Sequence, residues 1–208
     1  MGAALAGRLA KAGHEVRIGS RNPAKAQAAA LEMAAEIANA HVSGAGLAEA
    51  AAWAEIVFVT VPYSAHGDTL AQIREPVQSK IVVDATVPLK PPKVGTVQLP
   101  PAGCAALEAA EILGSGVRLV SALQNIGAEK LASEETIDAD VLVASDDAEA
   151  ADAVQALLTE LGLRSWHVGP LANSAAAEAL TSVLIQLNRR YKLVQAGIRI
   201  TGKVKDVA

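Results

Sequence analysis

Apolar and polar positions alternate along this chain between helix-like and strand-like periods. Leu5, Leu9 and the small alanines between them give one close-packing face of a helix that opens at Gly2 and stops at Gly13. His14-Glu15-Val16-Arg17-Ile18 reads as a short strand ending at Ser20, and the alanine-rich stretch Pro23 to Ala40 as a helix. Gly44-Ala45-Gly46 reads as a break before a short helix over Leu47 to Ala54. Glu55 to Pro62 is a continuous apolar run, the pattern of a strand buried on both faces. A helix over Ser64 to Ile73, a second buried strand over Lys80 to Thr86, a helix over Ala102 to Leu113 and a strand at Val117 to Ser121 follow. Val87 to Pro101 carries five prolines, which excludes regular structure there. Strands over Asp140 to Ala144 and Arg164 to Val168 flank a helix over Asp146 to Leu161, and one long helix spans Asn173 to Gln195.

Strands separated by helices predict an α/β fold, a Rossmann-like parallel sheet with helices on both faces and a C-terminal helical extension. The expected division is a dinucleotide-binding portion over residues 1–122 and a second portion over 123–208 that completes the substrate pocket. A dinucleotide-binding unit places a strand and a glycine-rich turn ahead of its first helix, and neither precedes Gly2 here. Gly2 stands about where the third glycine of G-x-G-x-x-G falls, so the fold's first strand is expected to be missing, as in a truncated chain. The alternative is an unrelated α/β domain that opens on this helix.

Composition narrows the function classes. The chain has 208 residues, 51% of them hydrophobic, with only 2% aromatic, so alanine, valine and leucine must fill the core. A net charge of −4 argues against nucleic acid. Cys104 is the single cysteine, which excludes a disulfide framework. No apolar run is long enough for a membrane span and no signal peptide pattern opens the chain, so the expected compartment is the cytoplasm.

Gly19-Ser20-Arg21-Asn22-Pro23 carries the first chemical signal. In dinucleotide-binding folds the residue after the second strand meets the adenosine ribose: a carboxylate selects NAD, whereas an arginine accommodates the 2′-phosphate of NADP. This chain has a hydroxyl and a guanidinium there and no carboxylate. Arg21 offers a planar fork of donors matched to phosphate oxygens, and Ser20 adds one more. Asn22 and Pro23 are good cap and first-turn residues, so the segment also reads as an ordinary helix start.

The order Gly-His-Glu-Val-x-Ile-Gly-Ser-Arg, Thr60-Val61-Pro62, Val82 to Pro88, Ser121-Ala122-Leu123 and Gly169 to Ser174 resembles the NADPH-dependent F420 reductase family from Gly2 to about Ile198. That resemblance implies a small Rossmann domain for NADP(H) and a C-terminal part that shapes a pocket for the deazaflavin F420. It also implies hydride transfer between nicotinamide C4 and deazaflavin C5. Gly2, Ser20, Arg21, Asn22, Val61, Pro62, Ala122 and Leu123 are then the expected cofactor contacts. Gln124, Ile126, Asn173, Ser174, Glu178 and Thr181 are the expected substrate contacts. Two departures stand out: the glycine-rich turn is absent, and Gln124-Asn125 stand where a family member has histidine and threonine.

Direct hydride transfer between two coenzymes asks for alignment rather than a side-chain acid or base, so no catalytic residue is expected. His66 and His167 read as structural, at a helix start and a strand end. Asp84 is either a ligand contact or a loop cap. Asp146-Asp147 and Glu134-Glu135 read as solvated helix-start charges, with no metal spacing. The apolar positions Ala176, Leu180, Val183, Leu184 and Leu187 on the last helix suggest a homodimer. Two other readings share the scaffold: another NADP-dependent reductase acting on an imine, a flavin or a ferric chelate, and a non-catalytic NADP-binding chain.

Overall fold

A computed structural model describes residues 1–133 and 135–203. Its strands form three parallel ladders. In the first, β1 (Val16–Ser20) pairs with β2 (Val42–Gly46), Val16 opposite Val42 and Ser20 opposite Gly46. The second has β4 (Ile81–Asp84) between β3 (Ile56–Val59) and β5 (Arg118–Ser121), with Asp84 opposite both Val59 and Ser121. The third pairs β6 (Asp140–Val143) with β7 (Arg164–His167). The second and third meet at an antiparallel bridge, where Ser121 N–H donates to Ala144 O at 2.8 Å and Ala144 N–H to Ser121 O at 3.0 Å.

Eight helices connect the described strands. They are α1 (Gly2–Lys11), α2 (Pro23–Glu36), α3 (Leu47–Trp53), α4 (His66–Ile73), α5 (Ala105–Leu113), α6 (Ala128–Ala132), α7 (Ala148–Glu160) and α8 (Ser174–Tyr191). Helices cover both faces because successive strand residues point opposite ways. Val83 and Val120 join a cluster with Leu5, Val141 and Val154, whereas their neighbours Val82 and Leu119 join Leu70, Ala106 and Leu113 on the other side. The first cluster also draws together residues from both sides of position 122, from Leu5 to Leu163. Arg8 of α1 strengthens that link, donating to the carbonyls of Leu131, Ser133 and Leu161 at 2.7–2.9 Å.

Three expectations are corrected. Gly44-Ala45-Gly46 is not a break but most of β2. A Cβ on Gly44 would run into the backbone of Ala26 and Gln27, so glycine there lets α2 lie directly on the strand. The run at Glu55 to Pro62 is not buried on both faces: Ile56, Val57 and Phe58 are half-buried and only Val59 is buried. Strand β3 is the edge of its sheet and borders an open cleft of about 2020 Å³, whose walls include Ile18 of β1, Phe58 of β3 and Leu5 of α1. No strand of the described residues pairs across that cleft. Finally, Asp147 is more than a solvated charge, because it caps α7 through Ala150 N–H and takes both Arg118 Nε and Nη2 at 2.6 and 3.0 Å. The Arg118 pairing and the Ala150 N–H outweigh burial and hold the carboxyl at about 2. Glu134 and residues 204–208 lie outside the described residues.

Element ends shift modestly. Helix α2 closes at Glu36 rather than Ala40, and α8 closes at Tyr191 where Lys192 turns left-handed, with φ of 55°. Helix α6, a five-residue turn after Gly127, was not expected.

Candidate functional site at the carboxyl ends of the strands

Strands β1, β3, β4 and β5 end at Ser20, Val59, Asp84 and Ser121, and open parallel sheets bind ligands at those carboxyl ends. After β1, the Ser20 hydroxyl accepts the Asn22 N–H at 3.1 Å, which leaves its own hydrogen free to donate. Asn22 Oδ1 caps α2 through Lys25 N–H at 3.2 Å. Arg21 is exposed and has no hydrogen-bond or ion-pair partner among the described residues. The helix-start reading of Asn22-Pro23 therefore holds, and it leaves the Ser20 and Arg21 donors uncommitted.

Gly2 opens α1 beside the end of β3, where an added Cβ would come 2.7 Å from Thr60 Oγ1. Val61 is half-buried and Pro62 exposed; Pro62 O accepts Ala65 N–H at 2.8 Å and turns the chain into α4.

After β4 and β5 the site becomes a buried polar network. Asp84 is fully buried and accepts on three sides: Oδ2 pairs with His66 Nε2 at 2.8 Å, Oδ1 takes Thr86 N–H at 3.0 Å, and the carbonyl takes Gln124 Nε2 at 2.8 Å. Asp84 thus caps the loop through Thr86 N–H, and His66 at the start of α4 is its hydrogen-bond partner. His167 lies at the end of β7 with Nε2 3.3 Å from Ser145 O, again structural.

Gln124 also donates to Ser121 Oγ at 2.8 Å, and Ser121 Oγ lies 2.5 Å from Ser174 Oγ. Ser174 in turn donates to Glu178 Oε1 at 2.8 Å. With the Ser174 hydrogen spent on Glu178, Ser121 is the donor between the two hydroxyls. The bonds therefore run in one direction, from the Gln124 amide to the Glu178 carboxylate. Glu178 closes the chain by accepting Ala105 N–H at 2.7 Å and Ala106 N–H at 3.1 Å. These are orphan amides of the first turn of α5, whose own cap residue Cys104 makes no side-chain bond to them. Burial pushes the Glu178 carboxyl up to about 7 against the pull of those amides and of Ser174, and the neighbouring Asp84 adds to the rise. Burial also raises the Cys104 thiol.

The expected substrate residues divide. Gln124, Ser174 and Glu178 come together as buried members of this network, in which Gln124 Oε1 is left without a partner among the described residues. Thr181 Oγ1 donates to Gln124 O at 2.8 Å, tying α8 to the turn after β5. Ile126 and Leu171 are buried in the two opposite apolar clusters. Asn173 stands apart, exposed, with Nδ2 on Val168 O at 2.6 Å. Of the expected cofactor contacts, Ala122 and Leu123 have fully buried side chains, and Leu123 takes a left-handed backbone with φ of 75°. A leucine in that conformation is strained and persists only where the surroundings hold it, as at functional turns.

Sequence reasoning missed Thr86. It is 2% exposed, and its Oγ1 has no partner among the described residues; Gln124 Oε1 is in the same condition. A polar residue directly after an apolar strand, at the sheet's carboxyl end, was the available signal. Tyr63 was also missed: it donates to Glu108 Oε2 at 2.9 Å, and burial together with that carboxylate pushes its phenol up to about 12.

Residues 1–88 match the family described as NADP oxidoreductase, coenzyme F420-dependent. The F420-dependent NADP reductase of Methanothermobacter thermautotrophicus is 40% identical over 209 residues, covering 96% of this chain and 90% of that protein. The enzyme of the same name from Methanocaldococcus jannaschii is 36% identical over 213 residues, covering 96% and 93%. A crystal structure from Arthrobacter sp. FB24, described as a candidate F420-dependent NADP reductase, superposes with a TM-score of 0.80 at 26% identity, covering 96% and 94%.

Proposed function

This chain belongs to the family of coenzyme F420-dependent NADP oxidoreductases, and we propose from that membership how its residues serve the reaction. It is an oxidoreductase that transfers a hydride between NADP(H) and the deazaflavin coenzyme F420. Identity of 36–40% across nearly the whole length of the named reductases is the observation that carries this reading. It also sets aside an imine, flavin or ferric acceptor.

The residues present fit the two coenzymes. Arg21 has an unengaged guanidinium beside the free Ser20 hydrogen, suited to a 2′-phosphate. Asn22 holds the helix start that sets their direction. The amides around Gly2 at the start of α1 would hold the pyrophosphate, since a helix N-terminus favours anions. Val61 and Pro62 would border the nicotinamide side, and the Ala122-Leu123-Gln124 turn, backed by the buried Ile126, would border the place where the two rings meet. Asn173, whose Nδ2 is held by Val168 O, would offer its exposed side-chain oxygen on the deazaflavin side. Ser174, Glu178 and Thr181 hold that wall from behind through the bonds to Ser121 and Gln124.

Bound together, the coenzymes themselves supply the hydride donor and the accepting carbon. The chain's contribution is alignment and exclusion of water, which is worth many orders of magnitude in rate and needs no protein acid or base. We assign no catalytic residue and no metal.

The proposal extends to assembly and place. Val183 stands 46% exposed on α8, Tyr191, Leu193 and Val194 are exposed beyond it, and this end is the proposed contact of a homodimer. No helix of the described residues is long and apolar enough to cross a membrane. We place the enzyme in the cytoplasm, with its two coenzymes as partners and no nucleic acid, in keeping with the net charge of −4.

The test is spectroscopic. Mixing the protein with F420 and NADPH should bleach the deazaflavin band, and NADH should give far less. No bleaching with either nucleotide would reject the assignment.

A further inference from the structure

Among the described residues, two buried polar atoms have no partner at the ends of neighbouring strands, Thr86 Oγ1 after β4 and Gln124 Oε1 after β5. Leaving such an atom unbonded costs on the order of 1–3 kcal/mol, and native structures keep few of them. Asp84 and Ser121 are opposite one another in the parallel ladder, so the segments carrying the two atoms leave the sheet side by side. One residue anchors both: the Asp84 carboxylate holds the Thr86 amide, and its carbonyl holds the Gln124 side chain.

The network also decides which end of the Gln124 carboxamide is the oxygen. Both amide hydrogens are spent, one on Asp84 O and one on Ser121 Oγ, each at 2.8 Å. The free atom is therefore an acceptor, and the left-handed Leu123 just before it fixes the turn. The Thr86 hydroxyl can donate. A donor and an acceptor set at the ends of adjacent strands match a group that offers a carbonyl oxygen and an N–H together.

Resting on the reading of the reaction given above, we propose that Thr86 and Gln124 grip an amide-type edge of a bound ring. The Thr86 hydroxyl donates to the carbonyl, the Gln124 side-chain oxygen accepts from the N–H, and Asp84 is the positioning residue for both. Two ligands supply that edge: the carboxamide of the nicotinamide and the carbonyl–N–H edge of the deazaflavin pyrimidine ring.

Thr86→Val separates a ligand contact from a structural role. The hydroxyl has no partner among the described residues, so the melting temperature without ligand should be unchanged or higher. Binding should fall about tenfold, the scale of one lost hydrogen bond. If the nicotinamide is the ligand, fluorescence titration shows the loss in NADPH affinity. The wild type then also binds the 3-acetylpyridine analogue, which lacks the N–H, about tenfold more weakly than NADPH. If the deazaflavin is the ligand, the KM for F420 rises and NADPH titration is unchanged. A Thr86→Val protein with both affinities within twofold of wild type overturns the proposal, as does one that merely melts earlier. Wild-type protein inactive with F420 would instead fail the functional reading, a result the titrations distinguish.

Discussion

Glu178 accepts the backbone N–H of Ala105 at 2.7 Å across 73 positions of sequence, so one helix caps another. The carboxyl is buried and raised from 4.5 to about 7, chiefly by loss of water. The folded state therefore holds a proton that the unfolded state has released. Its contribution to stability is complete below about pH 4.5 and disappears as pH rises through about 7, roughly 3 kcal/mol in all. Glu178→Gln should abolish that slope. It should also be less stable at pH 5, because an amide placed there must turn its NH₂ towards an N–H or hydroxyl it cannot accept. Urea midpoints between pH 5 and 8 measure both effects, and a slope retained in the variant would acquit Glu178.

Arg21→Ala should weaken NADPH by roughly 2 kcal/mol, about thirtyfold, and leave NADH nearly unchanged. The exposed guanidinium has no partner among the described residues, so stability should not move. Equal losses for the two nucleotides would mean that the arginine does not read the 2′-phosphate.

Asp140 is the hub of the third ladder. Its carboxylate takes Arg164 Nε and Nη2 at 2.6 and 2.7 Å, Trp166 Nε1 at 2.8 Å and Ile200 N–H at 2.7 Å. Burial alone would raise this carboxyl, but Arg164, Ile200 and Trp166 more than offset it and hold it at about 2. Its stabilisation is thus present above about pH 4 and lost only as pH falls towards 2. Asp140→Asn should cost about 2–3 kcal/mol at neutral pH and shift the emission of Trp166. Chemical denaturation followed by tryptophan fluorescence reads both.

Gly44→Ala should destabilise by about 1–3 kcal/mol or more, since the new methyl meets the rigid backbone of Ala26 and Gln27. Gly67→Ala is the contrasting case. That site lies in α4 with Ile112 Cδ1 at an ordinary 3.8 Å, and alanine there should stabilise by about 0.5–1 kcal/mol. Melting temperatures that move in the same direction would contradict the packing argument.

The parallel α/β plan was legible because Ile81 to Val83 and Val141 to Val143 are strand-like runs between helical periods. Strand β2 was not legible, since glycines that usually mark breaks are there to let α2 approach. Half of the site could be read locally: Ser20 and Arg21 sit in a strand-to-helix turn whose chemistry is written in five consecutive residues. The other half could not. Glu178 was expected as an open contact, and only the fold reveals that Cys104 fails to cap α5 and that α8 supplies the missing acceptor. Thr86 lacked any local mark beyond its polarity, because an unmet hydroxyl is a property of three-dimensional surroundings.

Across the cleft beside β3, no backbone ladder among the described residues joins β1 to the central sheet. The residues proposed to read the phosphate and those proposed to grip the ring therefore ride on separately laddered platforms, held in relation by the packing of α1 and α3. A nucleotide spanning from Arg21 to Gln124 would act as a strap between them. Amide hydrogens of β1 and β2 should then exchange more slowly once NADPH is bound, while those of β4, laddered on both sides, should change least.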